Sequence, residues 1–151
     1  MEVNQQITPL NILLADDDMD DRSFFDKALK EIPIASQLIT VNNGEELMEY
    51  LTAHLGQLPD ILFLDLSMPR KTGFECLSEI KENEKLKSLT VIMLTTSFTR
   101  GFDLEDNLKK TLLRMGATDY IRKPIVFEEL KEFIKNALTN LAEKRVNNML
   151  S

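Results

Sequence analysis

The sequence predicts an α/β fold: a doubly wound, five-stranded parallel sheet built from five βα units, with helices on both faces. Three observations carry that expectation. Short apolar runs recur along the chain, segments with helical spacing separate them, and the stronger runs are near-continuously apolar rather than alternating. Alternation of strand and helix implies a parallel sheet with helices packed on it, and strands covered on both faces have no polar side to show.

Taken in order, the first run is "NILLA", residues 11–15, ending abruptly at Asp16. A first helix follows, carrying Phe24, Phe25, Ala28 and Leu29, with Asp18 or Asp20 as its cap and acids in its first turn where the helix dipole favours them. A weaker run, "QLITV" at 37–41, is the second strand, and "NNGEE" turns the chain into a helix marked by Leu47, Tyr50, Leu51 and Leu55. "DILFLD" ends the third strand at Asp65, and "MPRKTG" leads into the third helix. "TVIMLT" ends the fourth strand near Thr95, and "DYIRK" ends the fifth at Lys123. The last helix carries Leu130, Phe133, Ile134, Ala137, Leu138 and Leu141, and continues into "AEKRVNNML".

Composition narrows the function. A chain of 151 residues with 43% hydrophobic residues is one domain's worth of sequence, with enough apolar side chain for a core. The expected division is a single domain over 1–151, its core at about 10–140 and residues 141–151 a helix extension or tail. A net charge of -7 argues against a nucleic-acid surface, which needs clustered Lys and Arg. The opening "MEVNQQITPL" has no signal-peptide pattern, and no apolar run reaches the ~18 residues of a membrane span. The expected location is the cytoplasm, away from membranes. A single Cys76 forms no internal disulfide and a single His54 builds no histidine metal site, so any metal here is hard and oxygen-bound.

The chemistry gathers at the strand ends, where doubly wound sheets bind their ligands. Asp16 and Asp17 follow the first run, Asp65 the third, Thr95 and Thr96 the fourth, and Lys123 the fifth. Five acids between residues 16 and 21 repel one another by about 4 kcal/mol per close pair at an effective dielectric of ~20, so a counter-charge is required. Converging carboxylates beside a Lys and a hydroxyl invite Mg²⁺, which takes one or two carboxylates and completes its shell with waters and phosphate. The plainer reading, solvated loop acids or helix caps, is the one adopted for Asp18, Asp20 and Asp21. Gly73 reads as a backbone-geometry residue, Met68 and Phe74 as packing residues, and Pro124 as conformational, a cis bond after Lys123 being one form of that.

The segments "LLADDD", "FLDLSMPRKTGFECL", "VIMLTTS" and "GATDYIRKP" together resemble the successive signatures of response-regulator receiver domains, the phosphoacceptor modules of two-component signalling. The resemblance covers roughly positions 10–140, and the run "LDLSMPRKTGFE" is especially similar to stand-alone receivers of the chemotaxis-regulator and phytochrome-partner types. It implies a flavodoxin-like strand order 2-1-3-4-5 and a phosphoryl group accepted on Asp65 from a sensor histidine kinase or phosphotransfer protein. Asp16, Asp17, Asp65 and the backbone carbonyl of Ser67 would hold Mg²⁺. Thr95 and Lys123 would each meet a phosphoryl oxygen, and Tyr120 would be the aromatic that moves with the threonine as the switch. The side chain of Ser67 occupies a position that tunes phosphoryl lifetime in the family. The implied protein is a signalling phosphoacceptor with Mg²⁺-dependent self-phosphorylation and autodephosphorylation rather than a conventional enzyme. It would be read by protein partners, as a monomer or homodimer.

Two rivals stand beside that reading. A haloacid-dehalogenase-type aspartate phosphatase also uses a strand-end Asp, Mg²⁺ and Lys, but wants a second Asp two residues after the nucleophile, where this chain has Ser67. A phosphorylation-independent receiver-like binding module would be expected to lack part of the acidic set. The stretch from Thr95 to Gly116 is longer than the family pattern and carries Phe98, Phe102 and Leu104, which read as a partner contact, a lid, or packing on an enlarged helix. The tail from Leu141 to Ser151 reads as a contact with a second subunit or kinase, or as a solvated helix end.

Overall fold

A computed structural model describes residues 8–95, 102–123 and 126–150, with side chains placed at 8–95, 107–123 and 126–148. The expectations for Thr96, Phe98 and Pro124 lie outside the described residues, as do those for the side chains of Phe102 and Leu104. The chain alternates β1 (Leu10–Ala15), α1 (Met19–Lys30), β2 (Ser36–Val41), α2 (Gly44–Ala53), β3 (Ile61–Asp65), α3 (Gly73–Glu82), β4 (Val91–Thr95), α4 (Phe102–Arg114), β5 (Asp119–Arg122) and α5 (Phe127–Leu150). All strand pairs are parallel, in the order β2-β1-β3-β4-β5. The fold class and strand order expected from the sequence are both found.

Strand side chains alternate between two apolar layers, which is why the runs read as continuously apolar. Leu13, Ala15, Leu62, Leu64, Val91 and Met93 pack with Leu47, Leu51, Leu77, Ile80 and Leu112 of α2, α3 and α4. Ile12, Leu14, Ile61, Phe63, Ile92 and Leu94 pack with Phe25, Ala28, Leu29, Leu130, Ile134 and Leu138 of α1 and α5. Phe63 anchors the second layer edge-on to Phe25, with ring centroids 5.0 Å apart. β2 is an edge strand with Ile39 46% exposed, which accounts for its weaker apolar signal. Two expectations need correction. Leu55 lies beyond α2, which His54 caps, and Phe74 stands partly exposed on the first turn of α3 instead of packing inward.

Helix starts follow the turn chemistry. The Asp18 carboxylate accepts the Asp20 and Asp21 amides, Asn43 accepts that of Glu46, and Thr72 and Glu75 form a reciprocal capping box. α4 gives way at Gly116, whose φ of +107° is strained for any residue with a Cβ. The register sets the functional rim: Ala15 lies beside Leu64, Asp65 beside Leu94 and Thr95 beside Arg122. The polar residues that end β1, β3, β4 and β5 therefore emerge along one edge of the sheet. Among the described residues, no helix is long and apolar enough to cross a membrane.

Candidate functional site

Carboxylates dominate this rim. Asp16, Asp17 and Asp65 each place a carboxylate oxygen so that the three atoms lie within 4.8 Å of one another. Asp16 and Asp65 are buried at 1% and 2% exposure, whereas Asp17 is exposed. β1 and β3 stop here because a strand buried on both faces cannot extend into charge without a change of environment.

Lys123 supplies the counter-charge. Its ammonium lies 2.8 Å from Asp16 Oδ2, 2.9 Å from Asp21 Oδ2 and 3.3 Å from Asp65 Oδ2. Its own backbone N–H donates to the Thr95 carbonyl at 2.8 Å, fixing the start of the side chain beside β4. Burial pulls the ammonium's pKa down, but the bonds it donates to Asp16 and Asp21 and the charges of Asp65 and Asp16 outweigh that and hold it above the usual lysine range.

Burial pushes the Asp65 carboxyl up to about 6; the charge of Lys123 opposes the rise, the charge of Asp16 adds to it, and the Ser67 N–H opposes it at 3.2 Å from Oδ1. Burial likewise raises Asp16, against its bonds from Lys123 and from the Asp18 amide at 2.9 Å. Two buried carboxylates raised in this way have a standing demand for positive charge beyond what one ammonium supplies.

The structure brings together Asp16, Asp17, Asp65 and Lys123 as the sequence reading expects. Thr95 is buried at the end of β4, and Tyr120 packs in the core layer with Leu112 and Ala117. Ser67 is exposed just beyond Asp65. Asp21 is the residue that sequence reasoning missed. Read as a solvated loop acid or helix cap, it keeps a side chain 41% exposed but also turns from the first turn of α1 onto Lys123. The available signal was its place one helical turn inside a helix whose cap follows the rim. Arg22 was also missed; its guanidinium donates to the Asp16 carbonyl at 2.7 Å and ties α1 to the end of β1.

Gly73 has a steric reason rather than a dihedral one. A Cβ there would lie 2.4 Å from the Asp65 carbonyl oxygen and 2.7 Å from Leu66 Cα. Because the clash is with backbone, no rotamer relieves it. Gly73→Ala is expected to cost about 1–3 kcal/mol of stability as an overpacking change and to displace Asp65, which thermal melting and amide spectra of the 65–67 segment would register. Unchanged melting and unchanged Asp65 signals would refute the close-approach account.

The model of the response regulator receiver domain matches residues 12–135. The chain belongs to the response regulator receiver family. This receiver is 30% identical to the probable methanogenesis regulatory protein FilR2 of Methanothrix harundinacea (strain 6Ac) over 130 residues, 84% of this chain and 80% of that protein. Among solved structures, the phosphorylated cyanobacterial phytochrome response regulator RcpA superposes with a TM-score of 0.73 at 30% identity, covering 86% of this chain and 91% of its own. The Mn²⁺-bound form of response regulator Rcp1 superposes with a TM-score of 0.71 at 30% identity, covering 85% and 91%. Some other curated relatives are far longer, and the receiver spans only 15% of one, a sensor histidine kinase of Helicobacter pylori.

Proposed function

We propose that residues 1–151 form a single-domain response regulator that accepts a phosphoryl group on Asp65 from a sensor histidine kinase or phosphotransfer protein and is read by protein partners. The observation that carries this reading is the convergence of two buried, raised carboxylates with a third acid and one ammonium on a single rim. The family match, and the likeness to a phosphorylated regulator and to a metal-bound one, support it.

The donor set suits a hard divalent cation, since it is all carboxylate and two of its members are buried with unmet demand for positive charge. Asp16, Asp17, Asp65 and the Ser67 carbonyl would hold Mg²⁺, which when bound supplies charge neutralisation for the phosphoryl oxygens. In the transfer, an Asp65 oxygen forms the new bond to phosphorus as the N–P bond of the donor phosphohistidine breaks and its imidazole departs. Lys123 meets one phosphoryl oxygen and the Thr95 hydroxyl another. The product brings roughly -2 of charge and three strong acceptors to a rim that previously balanced carboxylates against one ammonium. Contacts that differ between the two states bias the switch. Tyr120, one strand from Thr95 and packed beneath α4, is placed to carry that difference to the surface. The reading places the protein in the cytoplasm, where such kinases act.

Intact-mass spectrometry after incubation with acetyl phosphate tests the proposal. The expected result is a gain of one phosphoryl group that requires Mg²⁺, survives acid and is lost in base. Absence of an adduct, with rapid hydrolysis excluded by quenching in acid within seconds of mixing, would overturn it.

A further inference from the structure

The ammonium of Lys123 has three N–H donors, and the structure accounts for all of them unequally. Asp16 and Asp21 take short charged bonds of 2.8 and 2.9 Å, within the 2.7–2.9 Å usual for an ammonium on a carboxylate. Asp65 is left the long one, at 3.3 Å. The ammonium therefore rests toward α1 and away from the acceptor carboxylate. Of its three partners, Asp16 and Asp65 belong to the proposed metal set, and Asp21 belongs to none.

The scaffold around Asp21 is fixed. The Asp18 cap accepts its amide at 3.1 Å, and the neighbouring Arg22 clamps the Asp16 carbonyl. Phe24 of the same helix meets Phe127 of α5 edge-on at 5.4 Å. Lysine has a flexible four-carbon stem with considerable rotamer freedom, so a carboxylate on a braced helix turn decides where its head group sits.

We propose that Asp21 is a positioning residue for phosphoryl uptake: it draws the Lys123 ammonium off the Asp65 carboxylate and holds it at the rim, where an arriving phosphoryl oxygen meets it. The inference rests on the phosphoacceptor reading above. A carboxylate oxygen that receives a full ammonium hydrogen bond is a poorer nucleophile, because the lone pairs that attack phosphorus are engaged. Without Asp21, Lys123 collapses onto Asp65 and Asp16. The Asp65 oxygen then forms its bond to phosphorus more slowly as the bond to the departing acetate of acetyl phosphate breaks.

The test is a double-mutant cycle on the full chain with saturating Mg²⁺, reading the rate of phosphoryl uptake from acetyl phosphate and the melting temperature of every variant. Asp21→Asn is expected to slow uptake five- to twentyfold while the protein stays folded at the assay temperature, and Asp21→Glu, which keeps the charge, to recover most of the rate. In a Lys123→Gln background, Asp21→Asn is expected to change the rate less than twofold, because the two residues act as one unit. A rate unchanged by Asp21→Asn, or lowered equally in both backgrounds, overturns the assignment and leaves the contact purely structural. A wild-type chain that takes up no phosphoryl group overturns the phosphoacceptor reading itself, and this role with it, which sets that failure apart from the other two.

Discussion

Asp65→Asn takes up no phosphoryl group from acetyl phosphate at any Mg²⁺ concentration, and without metal it melts above the wild type at pH 7. The first result follows from chemistry, since a neutral amide is no nucleophile toward phosphorus and weakens the metal set by one carboxylate. The second follows from burial. Asp65 is 2% exposed and its carboxyl is pushed up to about 6, chiefly by desolvation, from an ordinary value of 3.8. A carboxyl raised on folding contributes stability that is fully present below about 3.8 and is lost as the pH climbs through about 6. At pH 7 the native chain therefore carries a destabilising term on the order of 2–3 kcal/mol. Asn keeps the shape and still offers Oδ1 to the Ser67 amide, and it removes the charge. At ~2–4 °C per kcal/mol for a chain of this size, melting should rise by about 4–12 °C at pH 7. The gain should shrink as the pH is lowered from 6 toward 4. A variant that melts below the wild type at pH 7, or one that gains a phosphoryl group on another site at the wild-type rate, would show that Asp65 is not the strained acceptor.

Legibility in the sequence tracked how directly a residue's environment follows from its neighbours along the chain. Strands β1, β3 and β4 were readable within a residue at each end because both faces are covered, so apart from Asn11 every position is apolar until the rim. β2 was faint because an edge strand exposes side chains such as Ile39. The rim itself was legible because a parallel sheet forces all strand ends to one side, so Asp16, Asp65, Thr95 and Lys123 had to be neighbours. What escaped was determined across elements. Asp21 looks like any first-turn acid of a helix, and only the distance to Lys123, 102 residues away in the chain, gives it a partner. Gly73 looked like a turn glycine, and only the folded path of β3 shows the Asp65 carbonyl filling the space of a Cβ. Phe74, adjacent to it, reads in the sequence as a packing residue, but on the first turn of α3, after the Thr72 cap, it stands partly exposed.

Lys123→Ala is expected to be the most destabilising single change at the rim, by about 3–5 kcal/mol without metal, because removing one partner of a buried ion cluster leaves uncompensated charge. Three carboxylates share this ammonium, and two of them are at most 3% exposed in their side chains. Melting should fall by about 6–20 °C at pH 7 on the same size scale. The pH dependence separates a charge effect from the loss of a packed side chain. Lys123 lowers both Asp16 and Asp65, which are nonetheless raised above 3.8. Its removal raises them further, so stability in the variant is lost over a window shifted upward from the wild type's. The deficit against the wild type must therefore narrow as the pH is lowered through 6 toward 4, where the carboxyls take up protons and no longer need a counter-ion. Mg²⁺ in excess should narrow it at pH 7 for the same reason, as a cation bound only by the folded state stabilises by mass action. A deficit that is the same at pH 4.5 and pH 7, and that ignores Mg²⁺, would mean Lys123 matters to this fold through its methylene stem and not its charge.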